Sequence, residues 1–272
     1  MRRLTSSFGI SAALVTVAAV MTAGMASAVA AKQRVRIVSA TDSAILGDRI
    51  TIKAKVASPA QARKMQLQTQ TKRYTGESEW TRVSGHKVKG KARQVFTPVV
   101  SQATTQRFRV VAKYASGSTV ASKPVTIAVW SWTPLSAIPD YYKTSGIIDG
   151  DPYTPSFGMN GQQYLGWRTY GPYKSWEQRY TTGRECTSLR GDFGIQDDSD
   201  DGSSAQIRIS NADTGALLYQ SPTLTPGMIV HADVPLPAPF RVSIQAVDTS
   251  AEGIDAFPGI GSPELLCRSL TS

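Results

Sequence analysis

The sequence predicts an all-β protein built as two β-sandwiches, an immunoglobulin-like sandwich followed by a jelly roll. Three observations lead there. Apolar residues alternate with polar ones at a period of two through most of the chain, whereas no helical period persists beyond two turns. Gly and Pro punctuate the alternation at short intervals, as in a fold made of many short strands. The charge divides in two: residues 29–132 carry 19 Lys+Arg against 4 Asp+Glu, and residues 133–272 carry 9 against 16. The net charge of +10 therefore hides a basic half and an acidic half.

Residues 1–28 read as a signal peptide. Arg2 and Arg3 precede an uncharged, Ala- and Val-rich stretch from Leu4 to Gly24, and Ala26-Ser27-Ala28 supplies the small residues that a signal peptidase reads. The apolar run is near the short end for a membrane span and is interrupted by Gly, Ser and Thr. An extracellular, cell-wall-associated protein with no stable membrane span after cleavage is expected. In an oxidising compartment the only two cysteines, Cys186 and Cys267, are expected to pair as a disulfide.

Between residues 33 and 131 the alternation is clear at Val35/Ile37, Ile50/Ile52/Ala54/Val56, Met65/Leu67, Phe108/Val110/Ala112/Tyr114 and Val125/Ile127/Val129. Turn signals separate these runs at Gly47-Asp48, Ser58-Pro59, Gly76, Gly85, Gly90, Gly117 and Pro124. About seven short strands over such a length describe a β-sandwich. The W-x-x-V step from Trp80 to Val83 and the F-R-V-V run from Phe108 to Val111 make this region resemble the immunoglobulin-like or fibronectin-like modules of secreted bacterial proteins.

Basic residues alternate here as well, at Arg34/Arg36, Lys53/Lys55 and Lys87/Lys89/Lys91/Arg93, so each set is expected on one sheet face. Two explanations fit: contact with an anionic envelope polymer, or the polar wet face and protected edges that any sheet needs. Nucleic acid is not expected, because aromatic stacking platforms among the basic residues are nearly lacking. Around Trp130 to Pro139 the last strand runs almost directly into the second half, with no Gly/Ser or Pro-repeat linker.

In residues 133–272 strands are expected at 180–195 (interrupted at Gly183 and Gly191), 205–211, 217–221, 228–234, 240–247 and 265–267. The order of phrases is distinctive: NGQQY (160–164), GRECTSLRGDFGIQDDSDDGSS (183–204), IRISNADTGALLYQS (207–221), LTPG (224–227), PFRVSIQAVD (239–248) and GSPELLC (261–267). This half resembles the NPCBM-type carbohydrate-binding module in its secreted actinobacterial form. The family's G-x-D-D-S phrase corresponds to Gly194-Ile195-Gln196-Asp197-Asp198-Ser199, and its hairpin D-G to Asp213-Thr214-Gly215. Its Trp-Gly-Asp-Pro is replaced by the segment from Phe257 to Pro263. The resemblance implies a galactose-binding-like jelly roll that holds a glycan in loops at one end, often beside a structural calcium.

Within 164–176, YLGWRTYGPYKSW, the residues Trp167, Tyr170 and Tyr173 lie among Gly166, Gly171 and Pro172, which marks them as candidate sugar platforms on a loop. Trp176, Gln178 and Tyr180 share a strand face and are assigned to the core. Asp197, Asp198, Asp200 and Asp201 offer oxygen ligands to a calcium ion, although a solvated turn capped by Asp side chains accounts for the same run. Calcium is the one cofactor considered, and none is required.

Catalysis is not expected. His86 and His231 have no catalytic signature around them, and Asp213-Thr214-Gly215 occurs once, where aspartic-protease chemistry needs two such carboxylates. The expected function is a non-catalytic exported protein that binds glycan through its second sandwich. The alternative is a structural or adhesion protein whose second sandwich contacts another protein.

Overall fold

The computed structural model describes residues 33–268 except 73–74, 150–155 and 171–174. The expected signal peptide therefore lies outside the described residues. Among these residues there is no α-helix, only a 3-10 turn at Leu135–Ala137. No helix there is long and apolar enough to cross a membrane.

The N-terminal half contains β1 (Val35–Ala40), β2 (Ser43–Ile45), β3 (Ile52–Val56), β4 (Ala62–Lys72), β5 (Ser78–Lys87), β6 (Arg93–Phe96), β7 (Gln106–Tyr114), β8 (Thr119–Ala121) and β9 (Val125–Pro134). One sheet has the order β1-β3-β6. The facing sheet runs β9-β7-β4-β5, with β2 parallel on β9 and β8 on β7. The period of two places Ile52, Ala54, Val56, Met65, Leu67, Phe108, Val110, Ala112, Ile127 and Val129 in the shared core. The Lys87–Arg93 alternation is not one strand. Val88 is buried and the chain turns there, Lys91 N–H donating to Val88 O at 2.9 Å, so only Arg93 of that set joins the β1-β3-β6 sheet.

The C-terminal half contains β10 (Asp140–Lys143), β11 (Ile147–Ile148), β12 (Phe157–Met159), β13 (Gln162–Tyr164), β14 (Gly166–Thr169), β15 (Trp176–Thr181), β16 (Cys186–Ile195), β17 (Ala205–Asn211), β18 (Leu217–Gln220), β19 (Ile229–Pro235), β20 (Arg241–Asp248) and β21 (Pro258–Cys267). The sheet β10-β15-β20-β17-β18 faces a sheet in which β21 is central. β16 pairs along nearly all of β21 and carries β19 on its far side. β21 is longer than the sequence suggests, because its Gly-rich start also joins the ladder.

Two further features position everything else. β9 crosses from one sandwich to the other: Gln106–Phe108 of β7 pair with its first residues, and Glu264–Cys267 of β21 pair with Ser131–Pro134. Cys186 and Cys267 are directly opposite in the β16–β21 ladder and form a disulfide, Cα–Cα 4.0 Å.

Candidate functional site

The loops at one end of the second sandwich, far from β9 along β21, hold most of the residues singled out above. β14 leaves this end at Thr169, β16 arrives at Ile195, β17 starts at Ala205, β20 ends at Asp248 and β21 starts at Pro258.

Gln196 organises this distal end. Its side chain is buried, and its amide N–H donates to Thr169 O and to Phe257 O, both at 3.2 Å. Its backbone N–H also donates to Phe257 O at 2.9 Å. Thr169 Oγ1 donates to Pro258 O at 2.9 Å, and Tyr170 N–H donates to Gly146 O at 2.8 Å. Tyr170 therefore follows directly on a base fixed from three sides, while its own side chain is 64% exposed. A buried amide that satisfies two carbonyls is costly to disrupt, which makes the base rigid.

The same glutamine begins the acidic loop. Asp197 accepts from Gly161 N–H at 3.1 Å, and Asp197 N–H donates to Gly158 O at 3.0 Å, which ties the loop to the β12–β13 hairpin. A Cβ at Gly158 would meet the Asp197 carboxylate, so a larger residue there would have to displace that side chain. Asp200 accepts from Asp255 N–H at 2.7 Å, and Ser199 Oγ accepts from Phe257 N–H at 3.0 Å. Asp198 and Asp201 are exposed, and their carboxylates have no partner among the described residues.

The acidic run does not gather a ready-made set of metal ligands among the described residues. Asp197 and Asp200 spend their carboxylates on backbone N–H groups of two different segments, and no three acidic, His or Cys side chains among the described residues converge on one point. Asp197 and Asp200 thus fasten the run to the β12–β13 hairpin and to the segment before β21.

Trp167 is not a displayed platform either. It sits on β14 and not on a loop, 3% exposed, its indole N–H donating to the buried Gln178 Oε1 and its ring edge-on to Tyr180 at 6.4 Å. Glycines around it suggested a loop, but Gly166 is there because β14 passes so close to Ile260 O that a Cβ would collide with it. Trp176, Gln178 and Tyr180 are buried, as their shared strand face implied. Burial pushes the Tyr180 hydroxyl well above its ordinary pKa. Tyr173 lies outside the described residues.

Trp167 does reach a cavity of about 370 Å³, lined also by Pro134, Ser136, Leu165, Ser262, Pro263 and Glu264. β9 and β14 pair with the same edge of β21, at residues 264–267 and 259–261, and the cavity lies in the gap between them. Leu165 stands at its rim, 55% exposed.

Of the two histidines, His231 is hydrogen-bonded to Asp192 at 2.7 Å on an open sheet face, with the imidazole 74% exposed. Asp213-Thr214-Gly215 is a hairpin turn: Gly215 has φ +73°, and the Asp213 carboxylate accepts from Arg241 N–H at 3.1 Å.

No protein-family model matches the chain, and no curated protein sequence does. Solved structures are similar in part. The CBM51-2 and INT domains of Clostridium perfringens ZmpB match at 16% identity over 63% of this chain, with a TM-score of 0.40. This chain spans only 39% of that structure. The CBM51 of Clostridium perfringens GH95 in complex with methyl-galactose matches at 16% identity over 49% of this chain and 99% of its own, with a TM-score of 0.37. The tandem CBM51 modules of the family 98 glycoside hydrolase Sp3GH98 from Streptococcus pneumoniae match at 10% identity, covering 82% of this chain and 83% of theirs, with a TM-score of 0.41.

Proposed function

We propose that this is an exported, non-catalytic protein that binds glycan at the distal loops of its second sandwich. The observation that carries the reading is the Gln196 amide, which fastens the strand end before Tyr170 to the start of the Asp197–Asp201 loop. It leaves an exposed aromatic side chain on a rigid base, with uncommitted Asp198 and Asp201 carboxylates on the adjoining segment. A flat aromatic covers the apolar face of a sugar ring, and carboxylates accept hydrogen bonds from its hydroxyls. The disulfide supports an oxidising, extracellular setting.

The test is co-sedimentation of the protein with purified cell wall and a panel of insoluble polysaccharides, beside the Tyr170→Ala variant. Binding that the variant loses supports the reading. Binding to a neutral polysaccharide that the variant keeps, or no binding to any neutral member, overturns it.

A second reading, a protein-contact role, is favoured by Leu165 at the rim of the cavity between β9 and β14. An exposed leucine above proline walls suits an apolar side chain of a partner. In that case Leu165→Asp, and not Tyr170→Ala, abolishes retention on the cell envelope.

A further inference from the structure

The first sandwich has an open side. β1 is an edge strand of its sheet, and β8, paired only with β7, is an edge of the other. Between them runs a groove of about 570 Å³ lined by Arg34, Val35, Arg36, Lys55, Ala57, Val120, Ala121 and Lys123. Its volume lies within the roughly 300–1,000 Å³ of ligand sites. Four of its eight lining residues are cationic and none is acidic.

The strand register extends this charge out of the groove. Arg36 is directly opposite Lys55 across β1 and β3, and Lys55 is directly opposite Arg93 across β3 and β6. Neighbouring strands are about 4.8 Å apart, so the three cations form a row across the outer face. Like charges facing one another are destabilising on a sheet unless something neutralises them. None of the five (Arg34, Arg36, Lys55, Arg93, Lys123) has an acidic partner among the described residues. Protection of a sheet edge accounts for Arg36 on β1 and Arg93 on β6, the two edge strands of that sheet. It does not account for Lys55, which stands on the central strand β3.

We propose that this groove binds an acidic polysaccharide, a sugar chain bearing carboxylate or phosphate groups. The Arg side chains suit bidentate pairing with such oxyanions. The floor of Val35, Ala57, Val120 and Ala121 is small and apolar, fit for the unsubstituted face of a sugar ring. Nucleic acid is disfavoured because no aromatic residue lines the groove to stack a base. A lipid surface is disfavoured because the cations line a recess and not an apolar-rimmed convex face. This site is separate from the distal loops of the second sandwich.

The experiment is binding of the protein to polygalacturonate, to phosphomannan, to neutral dextran and to phosphatidylglycerol vesicles, at two salt concentrations. The variants are Arg36→Gln/Lys55→Gln and, as an equal loss of charge outside the groove, Lys87→Gln/Lys91→Gln. The expected result is salt-sensitive binding to polygalacturonate or phosphomannan and none to dextran; which of the two binds more tightly identifies the anionic group. The groove variant should weaken binding about tenfold or more, the least that losing two charge-assisted contacts implies, and the control less than about twofold. Equal losses in both variants would assign binding to bulk charge and overturn the proposal. So would a lack of binding to either acidic polysaccharide, or preference for the vesicles. Tyr170→Ala should leave this binding unchanged, which keeps the groove distinct from the distal loops.

Discussion

Trp167 and Tyr170 stand three residues apart in one aromatic segment and do opposite things. On β14, alternation turns Trp167 into the core, where Gln178 satisfies its indole; Tyr170, just past the strand end, is free of that constraint. Trp167→Ala should therefore cost about 3–5 kcal/mol of stability, as truncating a buried aromatic does. Tyr170→Ala should stay within about 0.5 kcal/mol. Urea unfolding of both variants reads the difference. Glu177 gives a prediction of another kind. Burial opposes its charge, but hydrogen bonds from Arg179, Ser243 and Gln245 hold its carboxyl below the usual value of 4.5. A carboxyl depressed in the folded state contributes stability that is present above the unfolded value and lost as pH falls through the folded one. Stability should thus drop on acidification below about pH 4.5, and Glu177→Gln should flatten that drop in a series of melts.

Among elements, β21 concentrates the constraints. It receives β16 along one edge and both β14 and β9 along the other, and its last residue carries the disulfide. The bond closes a loop with a sequence separation of 81, for which the loop-entropy model gives about 4–5 kcal/mol. Reduction should lower the stability of the protein by a corresponding amount, read as a lower unfolding midpoint, and Cys186→Ala/Cys267→Ala should reproduce it without reductant. The distal loops were legible only in part. The acidic phrase 197–201 pointed to this end, but its composition did not say which segments Asp197 and Asp200 would hold; those are set by the backbone N–H groups of Gly161 and Asp255, which are remote in sequence. Gln196 was visible as part of a motif. Its role as the fastener of two segments depends on carbonyls 27 and 61 residues away, and nothing local encodes them.

For the whole molecule, the decisive element is β9. Its early residues serve the first core and its late residues pair with β21, so the two hydrophobic clusters are joined by continuous backbone hydrogen bonding. Heat should unfold the protein in one calorimetric transition. Inserting Gly-Gly between Trp130 and Ser131 should break the strand and split that transition into two, whereas two transitions in the unaltered protein would show that β9 does not couple the halves.

What the sequence determined by itself is the all-β class, the inward sets of most strands, the pairing of two cysteines and the sharp division of charge. Each of these is written in local periodicity or in composition. The tertiary structure decided which aromatic is buried, what the aspartates hold, and which cations share a groove. Arg36, Lys55 and Arg93 are separated by 19 and 38 residues, and only the register of three strands sets them in a row. Burial, hydrogen-bond partners and electrostatic neighbours are properties of contacts between distant segments, and these exist only once the strands have paired.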